Sequence, residues 1–266
     1  MSSMFRSCRQ LKYLDLSNFN TSKVYNLEKI FLRCSELKEI KGLNNFNTKY
    51  VYTMERMFSR WESIEYLDLS NFDTSNNYLM NKMFEGCFKL KEIKGINKFN
   101  TSKAENMKAM FENCKKLEYL DSSNFNTSNV TDMSFMFNEC NKLKEIKGIN
   151  KFITENVTNM KLMFRHCDEL KYLDLNSFDT SKVINMNQMF CACNKLKEIK
   201  GINKLKTEEV TNISQMFQEC KSLEKLDLSN FNTSKVSSLK MMFYKCHNLK
   251  ELNLLNSSIP SPANPI

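Results

Sequence analysis

The chain has 266 residues, of which 41% are hydrophobic and 26% charged, a composition typical of a soluble, packed protein. Its net charge of +9 comes from 33 Lys and 6 Arg spread among Glu and Asp residues, a pattern that disfavours nucleic-acid binding, for which clustered Arg is typical. No run of residues approaches the 18 apolar positions of a transmembrane helix, and the start MSSMFRSCRQ lacks the apolar segment of a signal peptide.

One unit recurs from end to end. Leu11–Cys34 reads LKYLDLSNFNTSKVYNLEKIFLRC and returns in register at Leu223–Cys246 as LEKLDLSNFNTSKVSSLKMMFYKC. The intervening units step alternately by 26 and 27 residues, so that two units make 53. A fixed period of this size, sustained along the chain, predicts a solenoid. We expect one solenoid over residues 1–255, with an incomplete first unit, and a Pro-containing tail over residues 256–266.

Each unit opens with a short strand. The spacing L-x-x-L-x-L of Leu11, Leu14 and Leu16 is that of a leucine-rich repeat, in which the leucines face the core. Alternate units contain one extra residue, always glycine: Gly42, Gly95, Gly148 and Gly201. This pattern predicts a β-bulge with positive φ, and a backbone contact to a ligand is the alternative.

A polar turn and an apolar segment follow each strand. The turn contains Thr in every complete unit, and its hydroxyl can bond to backbone groups of the turn or of a helix start. The apolar residues of the segment after the turn have the spacing of one helix face, for example Val130, Met133, Met136, Phe137 and Cys140. The predicted fold is therefore an α/β repeat solenoid, right-handed and leucine-rich-repeat-like, with a parallel β-sheet on one side and short helices on the other.

The combination of LDLSNFNTS, Met-Phe and Cys at constant spacing resembles the bacterial surface-protein repeat of about 26 residues, within the BspA-like leucine-rich-repeat group. The resemblance covers essentially the whole chain. It implies a cell-surface or secreted protein with a role in adhesion or host contact, and it provides no catalytic motif.

Ten cysteines raise the question of disulfides or metal binding. Nine of them occupy one position of the unit, and Trp61 replaces the cysteine in the third. Because neighbouring helices would lie too far apart for a disulfide, we expect these thiols to be free, buried core residues. His166 and His247 are far apart in the sequence and are not part of a catalytic or metal-binding motif. We predict no metal, no cofactor and no enzymatic activity.

The outward positions of the strands are the candidate binding face. In a parallel sheet one column would alternate Tyr with Glu and the next would alternate Asp with Lys, each Asp being flanked by two Lys. This alternation can be purely structural, or it can form a ligand-binding surface. The candidate site residues are Tyr13, Asp15, Lys41, Tyr66, Asp68, Lys94, Tyr119, Asp121, Lys147, Tyr172, Asp174 and Lys200.

The leading functional hypothesis is a non-enzymatic protein-interaction or adhesion scaffold, cell-surface or secreted, that binds a protein or an extended polymer on the sheet face. The alternatives are a structural spacer and an intracellular recognition module, the latter with a cytoplasmic location. The partner could belong to a host surface. The chain could be a monomer, or could associate end to end through its incomplete N-terminal unit.

Overall fold

The computed structural model describes residues 1–254, which form a stack of coils, one coil for each sequence unit. The fold is the predicted leucine-rich-repeat-like solenoid of parallel strands. The predicted tail, residues 256–266, lies outside the described residues. Met1–Cys8 stacks on the following coil through backbone bonds such as Phe5 N–H to Ile30 O at 3.0 Å. End-to-end association stays a prediction.

Each coil contributes one three-residue strand at the predicted position. In residues 1–254 the strands are β1 Tyr13–Asp15, β2 Glu39–Lys41, β3 Tyr66–Asp68, β4 Glu92–Lys94, β5 Tyr119–Asp121, β6 Glu145–Lys147, β7 Tyr172–Asp174, β8 Glu198–Lys200, β9 Lys225–Asp227 and β10 Glu251–Asn253. They pair in parallel only within successive couples, β1 with β2 through to β9 with β10, giving five two-stranded sheets among the described residues. The expected continuous sheet is therefore interrupted after every second strand.

The extra glycines confirm the predicted positive φ but do not form bulges. Gly95 has φ 85° and begins a 3-10 turn, Ile96–Lys98, immediately after β4. The other three such turns are Leu43–Asn45, Ile149–Lys151 and Ile202–Lys204. A Cβ on Gly95 would lie 2.5 Å from Ser70 Cα in the preceding coil. Glycine is required here both by backbone conformation and by the close approach of two coils.

The threonines bond to turn backbone, one of the two predicted alternatives, but the turn is that of the next coil and no helix start is involved. Thr101 is fully buried, and its hydroxyl donates to the backbone carbonyl of Asn126 at 2.8 Å. Thr127 donates to Ile153 O at 2.8 Å and accepts from the Ile153 N–H at 2.8 Å. These hydroxyls supply hydrogen bonds between successive coils at the turns, in addition to those of the paired strands.

The predicted helices are wrong: no α-helix occurs in residues 1–254, and the segments concerned are runs of tight turns. Alternate N–H groups point to the next coil, for example Ala109 to Ser134 O at 2.9 Å and Phe111 to Met136 O at 3.0 Å. The intervening ones close turns, as Glu112 N–H does to Ala109 O at 3.2 Å. A second parallel ladder precedes these turns and connects Asn26 through to Asn212.

The spacing of coils explains why helices do not form. Packed helices lie about 8–10 Å apart, whereas strands of a sheet lie about 4.8 Å apart. Bonds between successive coils on the turn side hold that side near strand spacing. Accordingly the core contains one phenylalanine stack with ring centroids 5.5–6.0 Å apart: Phe5, Phe31, Phe58, Phe84, Phe111, Phe137, Phe164, Phe190, Phe217 and Phe243.

Two residues that depart from the repeat, Trp61 and Ser122, are buried in the core. Trp61 is fully buried, its ring centroid lies 5.6 Å from that of Phe58, and its indole N–H donates to Leu37 O. Ser122, which replaces a strand leucine, is buried and donates to Lys147 O at 2.8 Å. Both positions are structural.

Candidate functional site: the outward face of the strands

The candidate site residues all lie on the strands, with side chains that are exposed or half-buried. They are Tyr13 and Asp15 on β1, Lys41 on β2, Tyr66 and Asp68 on β3, Lys94 on β4, Tyr119 and Asp121 on β5, Lys147 on β6, Tyr172 and Asp174 on β7, and Lys200 on β8. Tyr66, Tyr119 and Tyr172 are each about 60% exposed. The register pairs each of them with a glutamate, as predicted, for example Tyr66 with Glu92. We call this surface the strand face.

The Asp–Lys column forms three separate ion pairs, on β1–β2, β3–β4 and β5–β6, whereas within residues 1–254 Asp174 and Lys200 of β7–β8 do not pair. Lys94 Nζ lies 2.8 Å from Asp68 Oδ2, and Lys147 Nζ lies 3.1 Å from Asp121 Oδ2. The pair of Lys41 with Asp15 measures 3.3 Å. In each case the Asp bonds to the Lys of the following coil. The expectation that each Asp is flanked by two Lys is wrong, because the sheet is interrupted at every second strand.

The aspartates also close the turn after each strand. Asp68 Oδ1 accepts the backbone N–H of Ser70 at 2.9 Å, and Asp15 Oδ1 accepts that of Ser17 at 2.9 Å. The hydrogen bond from Lys94, followed by those from Ser70, lowers the pKa of Asp68 to about 2. These carboxylates and the lysine amines paired with them are already occupied by structural bonds, so that the exposed tyrosine rings are the groups free to contact a partner.

A further ion-pair column, which the sequence reasoning missed, orients the tyrosines. Lys91 Nζ lies 2.7 Å from Glu65 Oε2 and 5.6 Å from the ring centroid of Tyr66. Lys144 lies 2.6 Å from Glu118 and 5.6 Å from the Tyr119 ring. The sequence contains the signal for these ion pairs. In both units the residue before the strand tyrosine is Glu, and the residue at the same position of the following unit is Lys.

At the C-terminal end the strand face becomes concave. A cavity of about 1320 Å³ lies across β8, β9 and β10, with Tyr172, Glu198, Lys225 and Asp227 in its lining. It spans the gap between β8 and β9, which belong to different sheets. Its lining mixes both signs of charge with one aromatic ring. The lining also includes the aliphatic side chains of Ile199, Leu226 and Leu252, so that the cavity offers both apolar and charged contacts.

One histidine outside the strand face lies close to a carboxylate. His166 Nδ1 lies 3.6 Å from Asp168 Oδ1, and Asp168 accepts hydrogen bonds from Asn141 and Asn194, both at 2.8 Å. Within residues 1–254, no group of three or more His, Cys, Asp or Glu side chains is placed to hold a metal ion. In the same range, no helix has the length and apolar character needed to cross a membrane.

A family model described as "Mycoplasma protein of unknown function, DUF285" matches residues 1–119, 87–173 and 158–259. No curated protein sequence matches the chain. Together the three matches of the family model cover almost the whole length of the chain.

Solved structures with a similar fold include three bacterial proteins. A leucine-rich repeat protein from Bacteroides ovatus is 16% identical, with a TM-score of 0.39, 97% of this chain covered and 76% of that one. A leucine rich cell surface protein from Faecalibacterium prausnitzii is 15% identical, with a TM-score of 0.46 and the same coverages. A leucine-rich repeat protein from Eubacterium ventriosum is 18% identical, with a TM-score of 0.46, 94% of this chain covered and 60% of that one. The predicted resemblance to bacterial leucine-rich-repeat surface proteins is confirmed.

Proposed function

We propose that this chain, which belongs to the family of Mycoplasma proteins of unknown function, DUF285, is a non-enzymatic interaction scaffold that binds an extended protein partner on its strand face. The observation that carries the proposal is the row formed by Tyr66, Tyr119 and Tyr172. These rings are about 60% exposed and recur on alternate coils. Exposed tyrosines offer a large contact area with little loss of conformational entropy on binding.

The geometry of the row favours a long partner. Coils at strand spacing place successive tyrosines of the row roughly 10 Å apart, and ten strands extend over about 45 Å. Lysine side chains lie over the Tyr66 and Tyr119 rings, which restricts the rings before any partner arrives. A small molecule would instead need one enclosed and largely apolar pocket.

The same proposal includes a location at a cell surface and a role in adhesion, from the resemblance to bacterial surface-protein repeats. The test is protease treatment of intact source cells. Loss of the chain from intact cells, with a cytosolic marker protein retained, supports the location. Survival of the chain until the cells are lysed contradicts it and favours an intracellular recognition module.

The binding proposal is tested with the full chain as bait against purified extracellular and surface proteins of the host. For a protein that binds, Tyr66→Ala, Tyr119→Ala and Tyr172→Ala together should weaken the measured affinity at least about tenfold, because hot spots are enriched in tyrosine. The matched control is Tyr244→Ala, an exposed tyrosine that also has a lysine, Lys245, over its ring at 5.2 Å but lies on the turn side.

Unchanged affinity in the triple variant, with the control equally tight, would show that the strand face is not the binding face. Failure of every purified candidate to bind would contradict the scaffold proposal and leave the structural spacer as the better account. Far-UV circular dichroism of each variant verifies that the coils are intact.

A further inference from the structure

All nine tyrosines of the chain are exposed, whereas most phenylalanines are buried. Four tyrosines are on the strand face, and Tyr244 is on the turn side. The remaining four cluster on the ladder that contains Asn26, about half a coil after the strand, where they are between 41% and 58% exposed. We call this cluster the tyrosine patch: Tyr25, Tyr50, Tyr52 and Tyr78.

The backbone holds three members of the patch in line. Tyr52 N–H donates to Tyr25 O at 2.9 Å, and Tyr78 N–H donates to Tyr52 O at 2.9 Å. Tyr50 lies beside them, with its ring centroid 6.2 Å from that of Tyr25. Three rings therefore project from consecutive coils at strand spacing, about 4.8 Å apart.

The patch is not a product of the repeat. The tyrosines of the strand face recur every 53 residues, as a repeated unit requires. At the column of Tyr25, Tyr52 and Tyr78, the later coils have Glu105, Thr131, Thr158, Ile184, Thr211 and Ser237. The folding of a coil therefore does not require an aromatic residue at this position, and three consecutive tyrosines need another explanation.

Positive charge surrounds the rings. Lys49 Nζ lies 5.5 Å from the ring centroid of Tyr50, and Lys103 Nζ lies 5.8 Å from that of Tyr78. Lys23 is exposed at the position equivalent to Tyr50 in the preceding coil. Among the residues that the structure describes, these three lysines form no ion pair. Lys103 Nζ donates a hydrogen bond to the neutral Asn76 Oδ1 at 2.6 Å, so that no carboxylate competes with an anionic ligand for any of the three ammonium groups.

Nearby carboxylates are few or already engaged. Glu28 is bound to Lys29, and Glu55 lies 3.6 Å from Arg56. Glu105 stands at the far edge of the patch, in the lining of a cavity of about 410 Å³. The other lining residues of that cavity are Tyr78, Lys103, Asn129 and Thr131. This cavity offers one aromatic wall and several hydrogen-bonding groups, and it contains no aliphatic side chain.

We propose that the tyrosine patch binds a negatively charged polysaccharide. The flat C–H face of a sugar ring can pack on each tyrosine, its hydroxyls can bond to the amide, hydroxyl and charged groups of the cavity, and its carboxylate or sulfate groups can pair with the lysines. Rings in line on consecutive coils match a chain polymer. This surface is separate from the strand face, and the proposal does not depend on the function proposed above.

An acidic peptide fits the patch less well. The backbone N–H groups of Tyr52, Tyr78 and Glu105 are already bonded to the preceding coil, so that this column offers no free sheet edge for an added strand. The cavity has no apolar pocket for an anchoring side chain. Single-stranded nucleic acid would also use aromatic stacking, but its binding sites combine the stacking with a basic groove that follows the phosphates.

The test measures binding of the full chain to polygalacturonate and to heparin oligosaccharides by calorimetry at low and at physiological salt. Tyr25→Ala, Tyr52→Ala and Tyr78→Ala together should weaken both affinities about tenfold or more. Lys49→Gln with Lys103→Gln should weaken them and reduce their salt dependence. The control, Tyr244→Ala, removes an exposed tyrosine with a neighbouring lysine from another side, and its affinities should match those of the wild type.

Three results would overturn the proposal. The first is no binding of either polysaccharide by the wild-type chain. The second is binding that the tyrosine triple variant retains in full, which would show attraction to the net positive charge alone. The third is tighter, equally tyrosine-dependent binding of polyglutamate or oligo(dT), which would reassign the patch to an acidic peptide or to single-stranded nucleic acid. Circular dichroism establishes that each variant is folded.

Discussion

The thiol of Cys140 donates a hydrogen bond to the backbone carbonyl of Phe111, in the preceding coil, over 3.1 Å. Cys87 and Phe58 repeat the relationship at 3.2 Å, and Cys193 and Phe164 at 3.0 Å. The column of cysteines therefore fills the core and also links successive coils. Burial raises the pKa of the Cys140 thiol to about 12, so that almost no reactive thiolate is present near neutral pH.

Thiol reactivity should follow position in the stack. Eight of the cysteines are buried, Cys246 is half-buried and Cys8 is exposed. We expect a thiol reagent to modify Cys8 readily, Cys246 slowly and the others only after unfolding without reductant, when all ten react. Peptide mass spectrometry after timed labelling gives the order. Labelling of Cys140 as quickly as Cys8 in the folded chain would contradict the buried column.

Replacement of the strand-end glycines should be costly. Gly95→Ala places a Cβ at a positive φ and 2.5 Å from the backbone of Ser70, and we expect it to lower the free energy of unfolding by about 2 kcal/mol or more. Gly86→Ala is the control, because Gly86 also has positive φ but its Cβ would come closest to the flexible Arg60 side chain, at 3.1 Å, and would be in ordinary contact with the Arg60 backbone, at 3.5 Å. It should cost about 1 kcal/mol. Equal losses in urea unfolding would refute the role of the close coil contact.

The buried threonine hydroxyls should contribute through their bonds between coils. Thr101→Val keeps the shape but removes the donor to Asn126 O, and we expect a loss of about 1–3 kcal/mol. Thr101→Ser keeps the hydroxyl and should lose only the burial of one methyl group, about 0.8 kcal/mol. Urea unfolding of both variants tests the order. A valine variant as stable as the serine variant would show that the hydroxyl bond is unimportant.

Acid should lower the stability of the fold by protonating the aspartates at the strand ends. The folded-state pKa of Asp68 is about 2, against an ordinary value of 3.8. Because the folded-state pKa is depressed, the stabilisation is fully present above about pH 4 and is lost as the pH falls towards 2. Asp68→Asn should reduce the change in unfolding midpoint over that pH window. An unchanged pH dependence in this variant would mean that the ion pair with Lys94 and the bonds from Ser70 do not contribute.

The strands were predictable because an alternation of outward polar residues and inward leucines is typical of a β-strand alone. Alternation along Tyr13, Leu14 and Asp15 defined the outward positions, and the repeat defined the register with Glu39 and Lys41. The positive φ of Gly42 followed from a lone glycine in every second unit. The exposure of the candidate residues and their register within each strand couple agree with the prediction, the flanking of each Asp by two Lys does not, and their role in binding remains a prediction.

The helices were mispredicted because the spacing of apolar residues is the same in two structures. Met107, Met110, Phe111 and Cys114 are buried and lie at i, i+3, i+4 and i+7, as on a helix face. Tight turns with positive φ at Ala109 and elsewhere place the same residues inwards. What decides between them is the bonding of alternate N–H groups to the next coil, which is a relationship between units that periodicity within one unit does not reveal.

The tyrosine patch was missed for a related reason. Repeat alignment emphasises what the units share, and Tyr25, Tyr52 and Tyr78 are exceptional at their position. Their proximity follows from the register of successive coils. Only the second ladder, which the sequence did not predict, brings them into line.

The most direct test of the account is hydroxyl-radical footprinting of the full chain, because all nine tyrosines are exposed and each can be read separately by mass spectrometry. With a bound protein partner, the account predicts that oxidation falls at Tyr66, Tyr119 and Tyr172 and stays unchanged at Tyr244. Protection of Tyr244, with the three strand tyrosines oxidised as in the free chain, would contradict the assignment of the strand face as the binding surface.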